Sequence, residues 1–302
     1  MVEAKNLTHL YGSRTALDGL SFSVAKGEIF GLLGPNGGGK STLFRILATM
    51  MSPTSGSAHV AGFDVAAHAA QVRRRIGVVF QTQSLDRKLT VGENLTAQGH
   101  LFGFSGADLR ARAEQSLEKM RLTDRRGDLV DTLSGGLKRR VEIAKALLHE
   151  PEILLMDEPS TGLDPGVRRE LNDHMQELRA NRGVTILLTT HILEEADRCD
   201  RLLLIHQGRR VAEGTPAELK AKVGGDVVVM ESDSPVGLAE KVKVRFAVEP
   251  HVTGRQIRVE IANGHRFITE VIEAFPGAIQ SIALHKPTLE DVFLDETGES
   301  IS

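Results

Sequence analysis

Apolar side chains recur along the chain with the two periods that are typical of strands and helices. Alternation over residues 2–27 predicts half-buried strands, and the apolar run 28–33 predicts a short buried strand. Residues 40–50 predict a helix with one apolar side. Further strands are predicted at 57–61, 76–80, 152–158 and 184–189, and a hairpin over 202–213. Alternating strands and helices predict an α/β fold with a mixed or parallel sheet core and an antiparallel β region.

A helical block interrupts this alternation over residues 91–131. Ser105 is placed to cap a helix whose apolar positions follow at Leu109, Ala113 and Leu117. Because the block separates two α/β segments, it predicts a helical subdomain.

The composition shifts at residues 223–225, and a linker is predicted there. This boundary gives a first domain over 1–223 and a small α+β domain over 226–302. In the second domain, strands are predicted at 227–231, 243–248, 256–261 and 278–284, and helices at 267–275 and 288–295.

Net charge, cysteine count and the lengths of apolar runs argue against several classes of protein. The 302 residues carry a formal net charge of −3, which gives no electrostatic case for a nucleic-acid partner. Cys199 is the one cysteine, so no internal disulfide is expected. The first residues lead into a strand pattern, so no signal peptide is expected. No apolar run approaches the ~20 residues that span a bilayer, so a membrane connection would need a partner.

The strongest chemical signal is the stretch Gly34-Pro35-Asn36-Gly37-Gly38-Gly39-Lys40-Ser41-Thr42. It fits the phosphate-binding loop motif and has the strand before it and the helix after it that the motif needs. Glycines let successive backbone N–H groups point at an anion, and the helix N-terminus adds its positive dipole end. Lys40 is expected to contact the β- and γ-phosphates, and the Ser41 hydroxyl to bind Mg²⁺. A glycine turn that only joins strand to helix would leave Lys40-Ser41 unexplained.

A second signal is the apolar strand 152–158, which ends in the adjacent carboxylates Asp157 and Glu158. Such groups are costly to bury unless a cation or a reaction uses them. Asp157 is predicted to hold Mg²⁺, and Glu158 to act on the water that attacks the γ-phosphate. The alternative is an exposed strand terminus.

Three single residues are weaker candidates. Gln81 follows a predicted strand and can reach a metal or water at the carboxyl edge of the sheet. His191 also follows a strand and can either cap it or donate to a γ-phosphate. Tyr11, the one tyrosine, either packs a loop or stacks on a nucleotide base.

Ser134-Gly135-Gly136 begins a predicted helix. The helix N-terminus offers a second anion site, and a plain N-cap is the alternative.

Taken together, these motifs resemble the ATP-binding cassette (ABC) family in order and spacing over residues 2–223. Ser134-Gly135-Gly136, upstream of the Asp157-Glu158 strand, separates this family from other phosphate-loop ATPases. Tyr11 falls where the family has its adenine-stacking aromatic residue.

The resemblance implies an ATP- and Mg²⁺-dependent ATPase. It also implies a head-to-tail dimer in which each ATP lies between the Lys40 loop of one copy and Ser134-Gly135-Gly136 of the other. Asp164 would lie at that interface, and His191 would contact the γ-phosphate.

Two residues depart from the family pattern. Gly38 replaces a common alanine, and Leu137 replaces the glutamine that usually ends the signature. The leucine leaves no basis for a side-chain contact from position 137 to nucleotide.

The segment 286–294 is similar to the tail of exporter ATPases of the daunorubicin-resistance type, in which a separate membrane permease is the partner. The expected function is therefore the ATPase subunit of an exporter, held at the cytoplasmic face of the membrane by its permease. The alternatives are an ABC ATPase that acts on a macromolecular complex, and a nucleotide-dependent regulator with slow hydrolysis. The sequence identifies neither the cargo nor the permease.

Overall fold

The computed structural model describes residues 1–301 and divides them into two compact units, Met1–Thr215 and Pro216–Ser300. The strands are β1 Val2–Tyr11, β2 Arg14–Val24, β3 Ile29–Leu33, β4 Ser55–Val60, β5 Phe63–Asp64, β6 Ile76–Val79, β7 Ile153–Asp157, β8 Thr185–Thr190, β9 Arg201–His206, β10 Arg209–Gly214, β11 Asp226–Glu231, β12 His251–Thr253, β13 Gln256–Ile261 and β14 Ser281–His285. The α-helices are α1 Lys40–Leu47, α2 Ala69–Arg73, α3 Val91–Leu101, α4 Gly106–Lys119, α5 Gly135–Leu147, α6 Pro165–Arg182, α7 Leu193–Ala196, α8 Pro216–Lys222, α9 Pro235–Phe246, α10 Gly264–Ala274 and α11 Leu289–Thr297.

A six-stranded sheet in the order β10-β9-β3-β8-β7-β6 forms the centre of the first unit. Its strands are parallel except for the β9–β10 hairpin. Every residue of β3, β7 and β8 is buried, as strands covered on both faces require. Because parallel strands end at the same edge, Lys40, Glu158 and His191 are brought to one place from distant parts of the sequence.

A second sheet, β2-β1-β4-β5, is antiparallel and shares a hydrophobic core with helix α1. Tyr11, the last residue of β1, lines the same cleft as Asn36 and Gly37 of the phosphate loop. The predicted fold class, with a mixed sheet core beside an antiparallel β region, is confirmed.

The predicted helical block contains α3 and α4. Thr90 and Glu93 cap α3 reciprocally through each other's backbone N–H groups. Ser105 precedes α4 as predicted, but its side chain makes no capping hydrogen bond.

The second unit has a four-stranded antiparallel sheet in the order β12-β13-β11-β14, covered by α9 and α10. The prediction of a strand over 243–248 is wrong, because α9 extends through Phe246. Leu238, Ala239 and Val242 face the core at helical spacing, whereas Val244 is 86% exposed. Apolar and charged residues alternate around Val244 as they do in a strand, although the segment is helical.

The structure divides the chain after Thr215, earlier than the predicted linker at 223–225. Helix α8 belongs to the second unit, where it packs against α11. Gly225 lies tightly against the end of β13, since a Cβ there would be 2.5 Å from the carbonyl oxygen of Ile261.

Within residues 1–301, none of the helices has the length and apolar character needed to cross a membrane.

Candidate nucleotide-binding and hydrolysis site

The phosphate loop leaves β3 and enters α1 directly, as the sequence predicts. Gly34 passes so close to β9 that a Cβ would lie 2.2 Å from the carbonyl oxygen of Ile205. Gly39 caps α1 with a φ of 107°, a left-handed conformation that favours glycine. The loop can therefore follow this path only with glycine at these two positions.

Lys40 is buried at the start of α1. Its Nζ donates hydrogen bonds to the carbonyl oxygens of Gly34 at 2.6 Å and Pro35 at 3.0 Å. It also lies 3.8 Å from Oε1 of Glu158. Burial lowers the pKa of Lys40, and the neighbouring Glu158 and Asp157 carboxylates oppose that effect.

Glu158 is the point at which the separate motifs meet. Its Oε2 accepts hydrogen bonds from Gln81 Nε2 at 3.0 Å and from Thr161 Oγ1 at 3.1 Å. Nδ1 of His191 lies 3.3 Å from the same oxygen. Glu158 has a φ of 46°, a strained left-handed conformation of the kind found at functional sites.

One threonine on the neighbouring strand β8 fixes this conformation. Thr189 Oγ1 accepts a hydrogen bond from the backbone N–H of Glu158 at 3.0 Å and donates to Asp157 Oδ1 at 2.6 Å. The same hydroxyl group thereby orients the Asp157 carboxylate and holds the backbone of Glu158.

The predicted magnesium ligands are all oxygen donors, the type that Mg²⁺ prefers. Asp157 is 8% exposed, and burial raises its pKa, a cost that a bound cation would offset. Among residues 1–301, no cluster of three His, Cys, Asp or Glu side chains could hold a metal alone. A magnesium ion here would thus depend on nucleotide phosphates as well as on Ser41, Gln81 and Asp157, which is its usual mode of binding.

Glu158, residues of the phosphate loop and Tyr11 all line one cleft of about 200 Å³. Tyr11 is 43% exposed, packs edge-on against His9 and donates from its hydroxyl to Met51 Sδ. The protein lining of this cleft consists of Tyr11, Arg14, Ala16, Asn36, Gly37, Gly39, Lys40, Ser41, Thr42, Arg45 and Glu158.

The structure does not place Ser134, Gly135, Gly136 or Asp164 in the lining of this cleft. Ser134 caps α5 by accepting from the Leu137 N–H at 3.3 Å, and Asp164 precedes α6 without a side-chain cap. A Cβ on Gly136 would lie 2.3 Å from Val167 Cγ1. The Ser-Gly-Gly turn is therefore an N-cap within one chain, and any role in binding nucleotide needs another copy.

Comparison with known proteins identifies the family. The ABC transporter family model matches residues 17–161, and that of the C-terminal domain of DrrA1-3-like ATP-binding proteins matches 214–297. The chain is 43% identical to the Nod factor export ATP-binding protein I of Paraburkholderia xenovorans, over 99% of this chain and 98% of that protein. It is 41% identical to the daunorubicin resistance ATP-binding protein DrrA3 of Streptomyces coeruleorubidus, over 96% and 93%.

The chain is an ABC transporter ATP-binding protein.

Solved structures of ABC ATPases agree with this assignment. CbiO1 of Clostridium perfringens, part of the ABC transporter complex cbiONQ, superposes with a TM-score of 0.69 at 27% identity, over 82% of this chain and 95% of that one. A dimeric ATP-binding cassette in a post-hydrolysis state, bound to ADP and Pi, superposes with a TM-score of 0.64 at 30% identity, over 71% and 98%. The resemblance inferred from the motifs is confirmed, and the activity of this ABC protein is ATP hydrolysis.

Several side chains of the ABC ATPase site were not predicted from the sequence. Arg14 and Arg45 add positive charge to the cleft. Glu195 is buried and accepts a hydrogen bond from Ser160 Oγ at 2.7 Å, which fixes the loop that follows Glu158. Burial raises the pKa of Glu195. The sequence indicates Arg14 only as a cationic side chain that follows Tyr11 across the β1–β2 turn.

Proposed function

We propose that this protein is the ATPase subunit of an exporter, and that two copies of it enclose two ATP molecules and drive a separate membrane permease. The arrangement around Glu158 carries the ATPase part of this proposal. Its carboxylate lies between the phosphate-loop lysine and the side chains of Gln81 and His191.

In the proposed site, each residue has a distinct task. The phosphate loop and Lys40 bind the β- and γ-phosphates, and Tyr11 stacks on the base. Ser41, Gln81 and Asp157 hold Mg²⁺, which neutralises phosphate charge. Glu158 orients and deprotonates the attacking water, and His191 donates to the γ-phosphate.

The dimer part rests on the Ser-Gly-Gly turn, which lies outside the cleft of its own chain. The helix N-terminus that it forms suits the γ-phosphate of an ATP bound to a second copy. Asp164, at the start of α6, would lie at the same interface.

Export is supported by the relatives, which are named for Nod factor export and for daunorubicin resistance. A third relative, the linearmycin resistance ATP-binding protein LnrL of Bacillus subtilis, is 36% identical over 100% of this chain and 99% of that protein. Their names differ in cargo, so they support an exporter without choosing its substrate.

A groove of about 440 Å³ in the first unit offers a surface for the permease. Apolar side chains line it, including the exposed Met50, together with Lys145 and Arg73. Phe80 and Ser84, which flank Gln81, also line it. A permease helix bound there would contact the loop that carries Gln81. Because the permease lies in the membrane, we place the protein at the cytoplasmic face of that membrane.

The test is to purify tagged Glu158→Gln protein from detergent-solubilised membranes with ATP and Mg²⁺. We expect a polytopic membrane protein to co-purify, and Met50→Glu to reduce its recovery and transport while leaving basal hydrolysis within about twofold.

Gel filtration of the purified Glu158→Gln protein tests the dimer. It should show a dimer that requires ATP, and the dimer should be absent in Lys40→Ala. Recovery of a macromolecular complex without a membrane protein, or of a homodimer alone, would contradict the exporter proposal.

A further inference from the structure

Helix α5 holds the loop that carries Gln81 through one buried arginine. Arg139 Nη1 donates to the carbonyl oxygen of Phe80 at 2.6 Å, and Nη2 donates to that of Gln81 at 3.2 Å. The guanidinium group is planar and its donors are fixed relative to one another, so two bonds to successive carbonyls define the position of the backbone.

Glu142, one turn further along α5, completes the attachment. Its Oε2 accepts from Arg139 Nη1 at 2.8 Å, and its Oε1 accepts from the backbone N–H of Ser84 at 2.6 Å. Lys145 donates to the carbonyl oxygen of Ser84 at 2.7 Å. The loop is therefore held at both ends by three charged residues on one helix.

Stability alone gives little reason for such a pair. Arg139 is 5% and Glu142 is 2% exposed, and burial lowers the pKa of the first and raises that of the second. Buried ion pairs are often no more stabilising than apolar residues of similar volume. What this pair supplies is a defined geometry between α5 and the loop.

The loop held by this pair is hydrogen-bonded to the carboxylate of Glu158. The backbone of Gln81 is held by Arg139, and its side chain donates to Glu158 Oε2 at 3.0 Å. A displacement of the Phe80–Gln81 backbone would lengthen this bond, and small errors of position are costly in catalysis.

We propose that Arg139 and Glu142 are positioning residues that fix Gln81, and with it the Gln81–Glu158 contact, to helix α5. The consequence for the dimer rests on the function proposed above. Helix α5 begins at Ser134-Gly135-Gly136, which would touch the ATP of the second copy, whereas Gln81 serves the ATP of its own chain. The pair would then connect the two ATP sites through one rigid helix.

The test is a double-mutant cycle between Arg139→Met and Gln81→Ala in the full chain, measured by steady-state ATP hydrolysis. Arg139→Met should lower kcat about tenfold and change KM for ATP less than about twofold, because loop position and not nucleotide binding is altered. In the Gln81→Ala background, the same change should alter kcat less than about twofold. An equal loss in both backgrounds, or no loss in either, would overturn the proposal.

Arg139→Met leaves the Glu142 carboxylate buried without its partner, so Arg139→Met/Glu142→Met serves if the single variant does not fold. The double variant should keep the melting temperature of the wild type and show the same dependence on Gln81. Lys138→Gln is the matched control on the same helix, since its Nζ donates to the carbonyl oxygen of the exposed Asp131 at 3.3 Å and not to the loop that carries Gln81. It should leave kcat within about twofold.

The two proposals fail separately. Absence of an ATP-dependent dimer in the Glu158→Gln protein would refute the dimer while leaving the cycle to decide the role of Arg139. In a wild-type dimer with cooperative hydrolysis, Arg139→Met should reduce the Hill coefficient toward one without preventing dimerisation.

Discussion

The ammonium group of Lys40 lies 3.8 Å from Oε1 of Glu158, and both side chains are less than a tenth exposed. One residue follows β3 and the other follows β7, so the contact exists only because those strands end at one edge of the sheet. The residue proposed to bind phosphate is thus in electrostatic contact with the residue proposed to activate water. ATP bound to Lys40 as proposed would redistribute the interactions of the ammonium group and so change the surroundings of Glu158.

Glu158→Gln should reduce the rate of ATP hydrolysis by roughly 10²–10⁴-fold, because the amide retains the hydrogen bonds of the site but cannot accept the proton of water. Binding of ATP should persist, because the phosphate loop and Lys40 are unchanged. Steady-state hydrolysis and equilibrium binding of a fluorescent ATP analogue measure the two effects. If the wild type proved as slow as this variant, the protein would be a nucleotide-dependent regulator and not a transport ATPase.

Asp157→Asn should stabilise the nucleotide-free protein at neutral pH. Burial raises the pKa of Asp157 in the folded state, so the folded protein binds its proton more tightly than the unfolded chain does. The free energy of unfolding of the wild type therefore falls as the pH rises through the folded-state pKa. The gain from Asn should be largest at neutral pH and should vanish on acidification toward 3.8, the ordinary pKa of an aspartate.

Urea unfolding at several pH values measures this difference, with the exposed Asp124→Asn as the control. Added Mg²⁺ and ATP should stabilise the wild type more than Asp157→Asn, since the carboxylate is a proposed metal ligand. A gain that did not change with pH would show that burial of the charge is not its cause.

The first unit was predictable because its signals are local. The run 28–33, the glycine loop and the following helix are adjacent in sequence. Together they form one phosphate-binding motif, so each supports the prediction of the others. The error at 243–248 has the opposite origin. Val242 and Phe246 are spaced for a helix and also alternate with charged residues, and only packing on the sheet of the second unit chooses between the two periods.

The site was predictable to the extent that a residue's role depends on the end of its own strand. Asp157, Glu158 and His191 were chosen in this way, and their roles stay predictions. Thr189 was not, because its importance comes from the pairing of β7 with β8, which places its hydroxyl between the Asp157 carboxylate and the backbone N–H of Glu158. Arg139 was not predicted for the same reason, since the carbonyl groups that it binds, those of Phe80 and Gln81, lie 59 and 58 positions away along the chain.

Tyr11→Ala should raise KM for ATP by roughly 2- to 10-fold, the equivalent of about 0.5–1.5 kcal/mol for a stacked aromatic pair. The exposed ring is proposed to contact the base and not the γ-phosphate, so kcat should change little. Tyr11→Phe is the matched control, because it keeps the ring and loses only the hydroxyl contact to Met51 Sδ. An unchanged KM in the alanine variant would assign Tyr11 to packing of its loop.

Gly136→Ala separates the packing of α5 from its proposed contact with nucleotide. The new Cβ would lie 2.3 Å from Val167 Cγ1, an overpacking that should cost about 1–3 kcal/mol of stability. Val167→Ala removes the clashing methyl group, so Gly136→Ala/Val167→Ala should recover most of the lost melting temperature. If the backbone at Gly136 must approach the ATP of a second copy, the methyl group at 136 still obstructs it, and hydrolysis should stay low in the stable double variant. Val167→Ala alone controls for the loss of the valine. Recovery of hydrolysis together with stability would mean that Gly136 is needed only to let α5 pack against α6.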